Sequence, residues 1–515
     1  MLRQQRLNKL VNRASEKPLC IAHRGASGHK LENTLEAFAY AASLHAEMWE
    51  IDVRLTLDGV CVVSHDDNLM HTAGIDANIS AMTFAELQSH RLYNGEQVPT
   101  FEQVLALAVE TECGLYIELK GESAGVEVLR ILEQQPEQNN GIEIGINIGI
   151  GSFIPEWVAE LDKLNCPYPL SVLVRVGDCP FEQAEKAKAD MIHLCWERAS
   201  DTPHEFLTPE LIAKAQSLNL PIVIWHEERA SEIEKLLTMP VIGICSDLPE
   251  LITGYRPDDS NPIELVLHRG ANDVAPENTE ISAVIGYRMG AKVIELDLNT
   301  SSDGELMVIH DLTADRTTSL QGPIESLSSE QLKQCDAGSW FAPSFSQQRV
   351  SRFSDFLSLA QQFDGELYVE LKQADVDQVI QQALACNALS RCFFWSFNSE
   401  YLEQISQRYP DAKLMKRRQD FDSLSALIAA GKPTIIEYDY LIDDLNEFSQ
   451  CRDAGIKVML RYPGQDIEKW VELIGLQPDS VNIDHPFAFA RAYEKWLSQT
   501  KGQKQECRLK QEQTV

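Results

Sequence analysis

The sequence predicts an α/β protein of two tandem TIM (β/α)8 barrels, each with a β-hairpin insertion that carries a histidine. Three observations predict it. First, a set of polar residues recurs at one constant offset along the 515-residue chain. His23-Arg24-Gly25-Ala26 returns as His268-Arg269-Gly270-Ala271, and Glu32-Asn33-Thr34 as Glu277-Asn278-Thr279. Glu50 and Asp52 return as Glu295 and Asp297, Asp58-Gly59 as Asp303-Gly304, and His65-Asp66 as His310-Asp311. So long a period marks a duplicated domain rather than a solenoid unit. Second, short apolar runs alternate with amphipathic stretches, eight times per copy, which is the rhythm of a TIM barrel. Third, one apolar run returns too soon for a crossover and so reads as a hairpin.

In the first copy the predicted strands are residues 19–22, 48–53, 115–117, 142–148, 170–174, 191–195, 222–225 and 242–245. They are short and rich in branched residues, as strands covered on both faces should be. Predicted helices between them include 35–46, 101–110 and 209–218. Residues 60–64 follow 50–56 after only Leu57-Asp58-Gly59. An Asp-Gly turn between apolar runs makes an antiparallel hairpin. A turn centred near Asp58 brings His65 back level with Asp52, at the C-terminal mouth of the barrel. The same arithmetic sets His310 beside Asp297. The second copy repeats the count from Val266 to residues 480–483, with small insertions shifting later matches: Glu118-Leu119-Lys120 with Glu370-Leu371-Lys372, and Asp247 and Pro249 with Asp484 and Pro486.

The predicted organisation is a polar N-terminal tail at 1–16, barrel 1 at 17–253, a polar linker at 254–262, barrel 2 at 263–497 and a polar tail at 498–515. Hydrophobic residues at 44% and charged residues at 24% are ordinary globular composition. A formal net charge of −33 opposes broad contact with nucleic acid or an anionic bilayer. No segment has the roughly 20 apolar residues of a membrane span, and the start lacks a signal-peptide core. Twelve scattered cysteines without CxxC pairs suggest reduced thiols and a cytoplasmic location. Oligomerisation is left open.

The repeated polar residues fall at strand ends, where a barrel builds its site. Glu50 and Asp52 share a face, and Glu118 ends a later strand. Three carboxylates at one mouth repel unless a hard cation neutralises them, and oxygen-only ligands favour Mg²⁺ or Ca²⁺. His23 ends the first strand and His65 faces it, a pair suited to general acid–base chemistry near neutral pH. Arg24 and Lys120 add positive charge, so the mouth suits a phosphate inside an acidic protein. Asn33 is read as orienting a ligand oxygen or tying down its loop. His29, His45, His71 and His226 are read as structural.

These motifs together resemble the glycerophosphodiester phosphodiesterase family, over nearly the whole chain and twice. The resemblance implies TIM barrels hydrolysing small-molecule glycerophosphodiesters to glycerol 3-phosphate and an alcohol, with one divalent cation, Mg²⁺ or Ca²⁺, per barrel. It implies metal ligands at Glu50, Asp52, Glu118, Glu295, Asp297 and Glu370, and catalytic histidines at His23, His65, His268 and His310. Phosphate would fall to Arg24, Lys120, Arg269 and Lys372, with Asn33, Asn278 and Trp225 as positioning or pocket residues.

The copies depart from the family pattern in different places. Barrel 1 has Leu31 where barrel 2 has Pro276, and it lacks the pocket-shaping stretch that barrel 2 keeps at 336–341. Barrel 1 keeps Trp225, where barrel 2 reads Leu460-Arg461-Tyr462. The expectation is chemistry in both barrels. The alternatives are one catalytic barrel with a structural, regulatory or phosphoryl-binding partner, or a duplicated binding protein.

Overall fold

The computed structural model describes residues 6–7, 17–134, 146–196, 198–255 and 262–512. It forms two compact units, Met1–Thr253 and Gly254–Val515. No described helix is long and apolar enough to cross a membrane.

The strands of unit 1 are β1 (Leu19–His23), β2 (Met48–Leu55), β3 (Cys61–Val63), β4 (Gly114–Leu119), β5 (Ile148–Ser152), β6 (Leu170–Arg175), β7 (Met191–Cys195), β8 (Ile222–Trp225) and β9 (Gly243–Ser246). Eight of them are parallel neighbours in the order β1-β9-β8-β7-β6-β5-β4-β2, and a β1–β2 pairing closes the ring. Helices fill the crossovers, so the strands are covered on both faces. Leu19, Ile21, Met48, Tyr116, Leu173, Met191 and Val223 pack the barrel interior, and a larger apolar layer joins strands to helices.

Unit 2 repeats this with β10 (Glu264–Leu267), β11 (Val293–Thr300), β12 (Leu306–Val308), β13 (Glu366–Gln373), β14 (Cys392–Trp395), β15 (Lys413–Arg417), β16 (Ile435–Asp439), β17 (Lys457–Arg461) and β18 (Ser480–Ile483). Again eight parallel strands close, through β10–β11.

In each unit one short strand stands outside the ring. β3 runs antiparallel to the end of β2, with Val53 opposite Val63, and β12 does the same against β11. The Asp-Gly turn explains itself chemically. Asp58 accepts hydrogen bonds from Thr56 Oγ1 and the Phe84 amide, while Gly59 takes φ +83°. Asp303 accepts from Ser301 and Ser329 in the same way. One aspartate thus closes the turn and pins a later helix to it, Phe84–Leu87 in unit 1 and Ser329–Gln334 in unit 2.

The clearest departure from expectation is β5. The sequence places a strand at 142–148; the structure has it at Ile148–Ser152, and residues 142–145 lie outside the described residues. Branched isoleucines drew the expectation upstream, whereas Gly149 and Gly151 read as poor strand residues. They are there for lack of room. A Cβ on Gly151 would stand 2.9 Å from Leu173, and one on Gly149 would press on Met191 and Tyr116.

Smaller differences lie at the ends. The first crossover helix is Leu35–Ser43, shorter than 35–46. Of the N-terminal segment, Arg6 and Leu7 are described and both are buried, Arg6 against Asp162 and Asp190. Tyr255, expected in a polar linker, is buried and bonds to the Ile263 carbonyl. Residues 256–261 lie outside the described residues. The last helix runs on as Pro486–Glu512.

Candidate active site

The turn after β1 organises the mouth. Arg24 takes φ +55°, a left-handed conformation uncommon for a residue with a Cβ, and Gly25 follows at φ +83°. This turn aims the Arg24 amide at Glu50 Oε2, 3.1 Å away. Arg269 repeats it at φ +58°, its amide 2.8 Å from Glu295. Backbone strain recurring at one position of both barrels is strain the surrounding site holds in place. A Cβ on Gly25 would lie 2.8 Å from the Ala37 backbone. Gly25→Ala is therefore expected to lower the melting temperature of unit 1 by roughly 2–6 °C and its turnover at least tenfold, as read by calorimetry and by assay.

The Glu-Asn-Thr motif divides into three tasks. Thr34 caps the following helix, its Oγ1 accepting from the Ala37 amide at 3.1 Å. Asn33, at φ +56°, donates from Nδ2 to Asp52 Oδ2 at 2.8 Å and accepts from the Asp52 amide at 3.3 Å. Glu32 receives Arg24 Nη1 at 3.0 Å. Asn278 holds Asp297 through the same two bonds, and Thr279 and Glu277 repeat the others. Of the two readings open for Asn33, the structure places it against a carboxylate.

Glu50, Asp52 and Glu118 are buried, with ligand atoms all within 4.8 Å of one another, and Glu295, Asp297 and Glu370 form the matching group. Lys120 Nζ lies 3.2 Å from Asp52 and 2.7 Å from Glu118, and Arg24 Nε 3.3 Å from Asp52. Lys372 and Arg269 contact Asp297 likewise. Two cations do not satisfy three acids. Glu50 Oε1, Glu118 Oε2 and Glu295 Oε1 are buried without a hydrogen-bond partner. Burial, then the neighbouring carboxylates, push Glu50 well above the usual carboxylate range. Burial and Asp52 push Glu118 up to about 7 against the pull of Lys120. Asp52 is held at about 2, because Lys120 and Arg24 outweigh its burial. Converging, under-satisfied oxygens fit a hard divalent cation in each half.

His23 is buried beside this group. Its Nδ1 shares a proton with Asp247 Oδ1 at 2.6 Å, and Nε2 is buried with no partner. Burial pushes the ring down to about 4 despite that bond. The Asp247 carboxyl, which burial alone would raise, is held at about 2 by His23 and Ser27. The shared proton therefore rests on Nδ1, and Nε2 carries the lone pair. His268 and Asp484 repeat the pair at 2.7 Å. Ser27 and Asn272 each bridge the aspartate to the histidine carbonyl.

His65 follows β3, with Ser64 N bonded to the Asp52 carbonyl, and lines the same cavity as His23. Arg54 grips the His65 carbonyl, and Asp66 takes its Nδ1 at 2.8 Å. His310 bonds Asp311 at 2.7 Å and lines the barrel 2 cavity with His268.

Some expectations need correcting. His226 is no background residue: its ring stacks on His23 at 4.5 Å. His71 also lines the barrel 1 cavity, while His29 is a structural partner of Glu250. Trp225 lines the barrel 1 cavity, whereas the aromatic stretch at 336–341 is absent from the barrel 2 lining. Trp340 instead closes its own turn on the Ala337 carbonyl. Asp247 and Asp484 went unassigned. The signal was present, since both copies repeat the aspartate after the strand that neighbours the histidine strand.

The profile of the Glycerophosphoryl diester phosphodiesterase family matches residues 23–251 and 268–486. YhdW of Bacillus subtilis, a candidate glycerophosphodiester phosphodiesterase, is 32% identical over 244 residues, 45% of this chain and 95% of YhdW. Human lysophospholipase D GDPD1 is 29% identical over 184 residues, 36% of this chain and 49% of the human protein. A glycerophosphodiester phosphodiesterase crystal structure from Agrobacterium tumefaciens covers 44% of this chain and 99% of its own, with 32% identity and a TM-score of 0.42. Matched twice along its length, the chain belongs to the glycerophosphoryl diester phosphodiesterase family as two tandem copies, a glycerophosphodiester phosphodiesterase-like hydrolase.

Proposed function

We propose that both barrels hydrolyse glycerophosphodiesters to glycerol 3-phosphate and an alcohol. The observation that carries this reading is the repetition of one constellation in each unit: three buried carboxylates with an arginine and a lysine against them, and two histidines that line the cavity. A duplicated binding protein would need the cations but not paired histidines of tunable pKa.

Glu50, Asp52 and Glu118 would hold Mg²⁺ or Ca²⁺ in barrel 1, and Glu295, Asp297 and Glu370 in barrel 2. Such a cation supplies charge stabilisation at phosphate oxygen and acidifies a bound hydroxyl. The protein's own groups do the rest. Arg24 and Lys120, or Arg269 and Lys372, hold the non-bridging oxygens. The Arg24 amide and Asn33 keep two carboxylates in register. His23 Nε2, buried and unprotonated, takes the proton of the glycerol 2-hydroxyl as it attacks phosphorus, and after the alcohol leaves, water opens the cyclic phosphate to glycerol 3-phosphate. His65, carried by the hairpin at the cavity rim, protonates the leaving alcohol. His268 and His310 take these parts in barrel 2.

The test is glycerol 3-phosphate release from a panel of glycerophosphodiesters by wild type, His65→Ala, His310→Ala and the double variant, with Mg²⁺, Ca²⁺ or EDTA. EDTA and the double variant are expected to abolish release, while each single variant keeps a separable share. One single variant as inactive as the double would assign all catalysis to one barrel. No release from any diester would return the chain to a binding role.

A further inference from the structure

The two mouths share their phosphate machinery and differ in the opposite wall. Strand register defines the equivalent positions. Leu173 stands opposite His193, as Arg417 does opposite Glu437. Cys195 stands opposite Trp225, as Asp439 does opposite Arg461. Cys245 stands beside Ile21, as Asn482 does beside Val266. Thus Leu173, His193, Cys195, Trp225 and Cys245 give way to Arg417, Glu437, Asp439, Arg461 and Asn482. All five replacements line a cavity of about 220 Å³, against about 890 Å³ in barrel 1, where Phe153, Val176 and Trp225 contribute to the wall.

The replacements are arranged in compensated pairs. Arg461 Nη1 donates to Asp439 Oδ2 at 3.0 Å, and Asn482 Nδ2 to Glu437 Oε2 at 2.7 Å. Arg417 is tied to Asp420 and covers the faces of Trp395 and Phe397 at 4.6 and 4.5 Å. The aromatic faces that could cage a quaternary ammonium already carry a guanidinium. Two acids and two bases leave no net charge for a charged head group to oppose. What remains is a dense set of donors and acceptors, with Asn482 Oδ1 buried and lacking any donor. A buried acceptor without a partner is costly, and a hydroxyl supplies the missing proton.

Building on the phosphodiesterase reading, we propose that barrel 2 selects diesters whose alcohol is a neutral polyol, bound by the Glu437–Asn482 and Asp439–Arg461 pairs. Both barrels must accept the glycerol end, so the five wall positions that differ serve the end that varies. Barrel 1, with its larger cavity, takes bulkier or less polar alcohols.

The experiment uses the full chain with barrel 1 silenced by His65→Ala. Hydrolysis of glycerophosphoinositol, glycerophosphocholine and glycerophosphoserine is compared by kcat/KM. The inositol diester is expected to exceed the other two at least tenfold, a comparison that needs no substitution in the wall. Adding Asn482→Leu or Arg461→Met should lower the inositol diester's kcat/KM about 10- to 100-fold and the choline diester's less than threefold. Equal rates, a preference for choline or serine, or an equal loss on all three would overturn the selectivity while leaving the phosphodiesterase reading intact. No turnover by the His65→Ala chain while wild type turns over would overturn the selectivity and assign catalysis to barrel 1; no turnover by wild type on any diester would sink both.

Discussion

Replacing His23 and His268 together by alanine is expected to lower kcat in each barrel by about 10²–10⁴, the range for a positioned general base, with KM changing little. Each single variant should lose only its own barrel's share. The expectation rests on where the rings sit. His23 Nε2 is buried with no other partner, and Asp247 fixes the proton on the far nitrogen. Asp247→Asn tests the same idea from behind. An amide nitrogen there can donate to Nδ1, which would move the ring proton to Nε2 and disable the base. Its loss should therefore approach that of His23→Ala, because Asp247 acts through the ring it holds. Rates measured with the other barrel silenced by His310→Ala isolate the effect. A double histidine variant retaining a tenth of wild-type turnover would refute the assignment of His23 and His268 as bases.

The ring of strands was legible because it is written in local patterns that a barrel repeats eight times, and because duplication gave each motif an internal control. The candidate metal-ligand carboxylates were legible for the same reason: Glu50 and Asp52 alternate along one strand and recur as Glu295 and Asp297. What escaped was set by packing across the barrel. β5 was misplaced because Gly149 and Gly151 answer to Met191, Tyr116 and Leu173, which are remote in sequence. His226 looked ordinary in the chain, yet closure of the ring stacks it on His23. Asp247 reaches its histidine across 224 residues, through the pairing of the first and last strands. The charged wall of barrel 2 is likewise assembled from four different strands, no one of which looks unusual alone.

The carboxylate groups should also make stability depend on a divalent cation. Three buried acids with two cations beside them are a liability to the cation-free fold, and binding a cation only in the folded state removes it. At a hundredfold excess over its Kd the gain is about 2.7 kcal/mol per site, or roughly 5–10 °C in the melting temperature of a domain this size. The pH dependence has a definite sign. In the cation-free fold Glu118 and Glu370 titrate near 7, above their ordinary value of 4.5, so the folded state binds more protons than the unfolded one in between. Their contribution is full at the acid end of that window and is lost as pH rises through 7. The chelated protein should therefore melt at progressively lower temperature from about pH 5 to 7.5, while protein saturated with Mg²⁺ or Ca²⁺ should show a flatter profile. Glu50→Gln removes a carboxylate that could ionise to meet a cation and keeps an acceptor for the Arg24 amide. It should abolish the first unit's response to cation, while the second unit still responds through Glu295, Asp297 and Glu370. Calorimetry with and without EDTA across this pH range reads all three effects. Stability indifferent to chelation, or a Glu50→Gln protein still stabilised by cation in its first unit, would show that these carboxylates do not hold the metal.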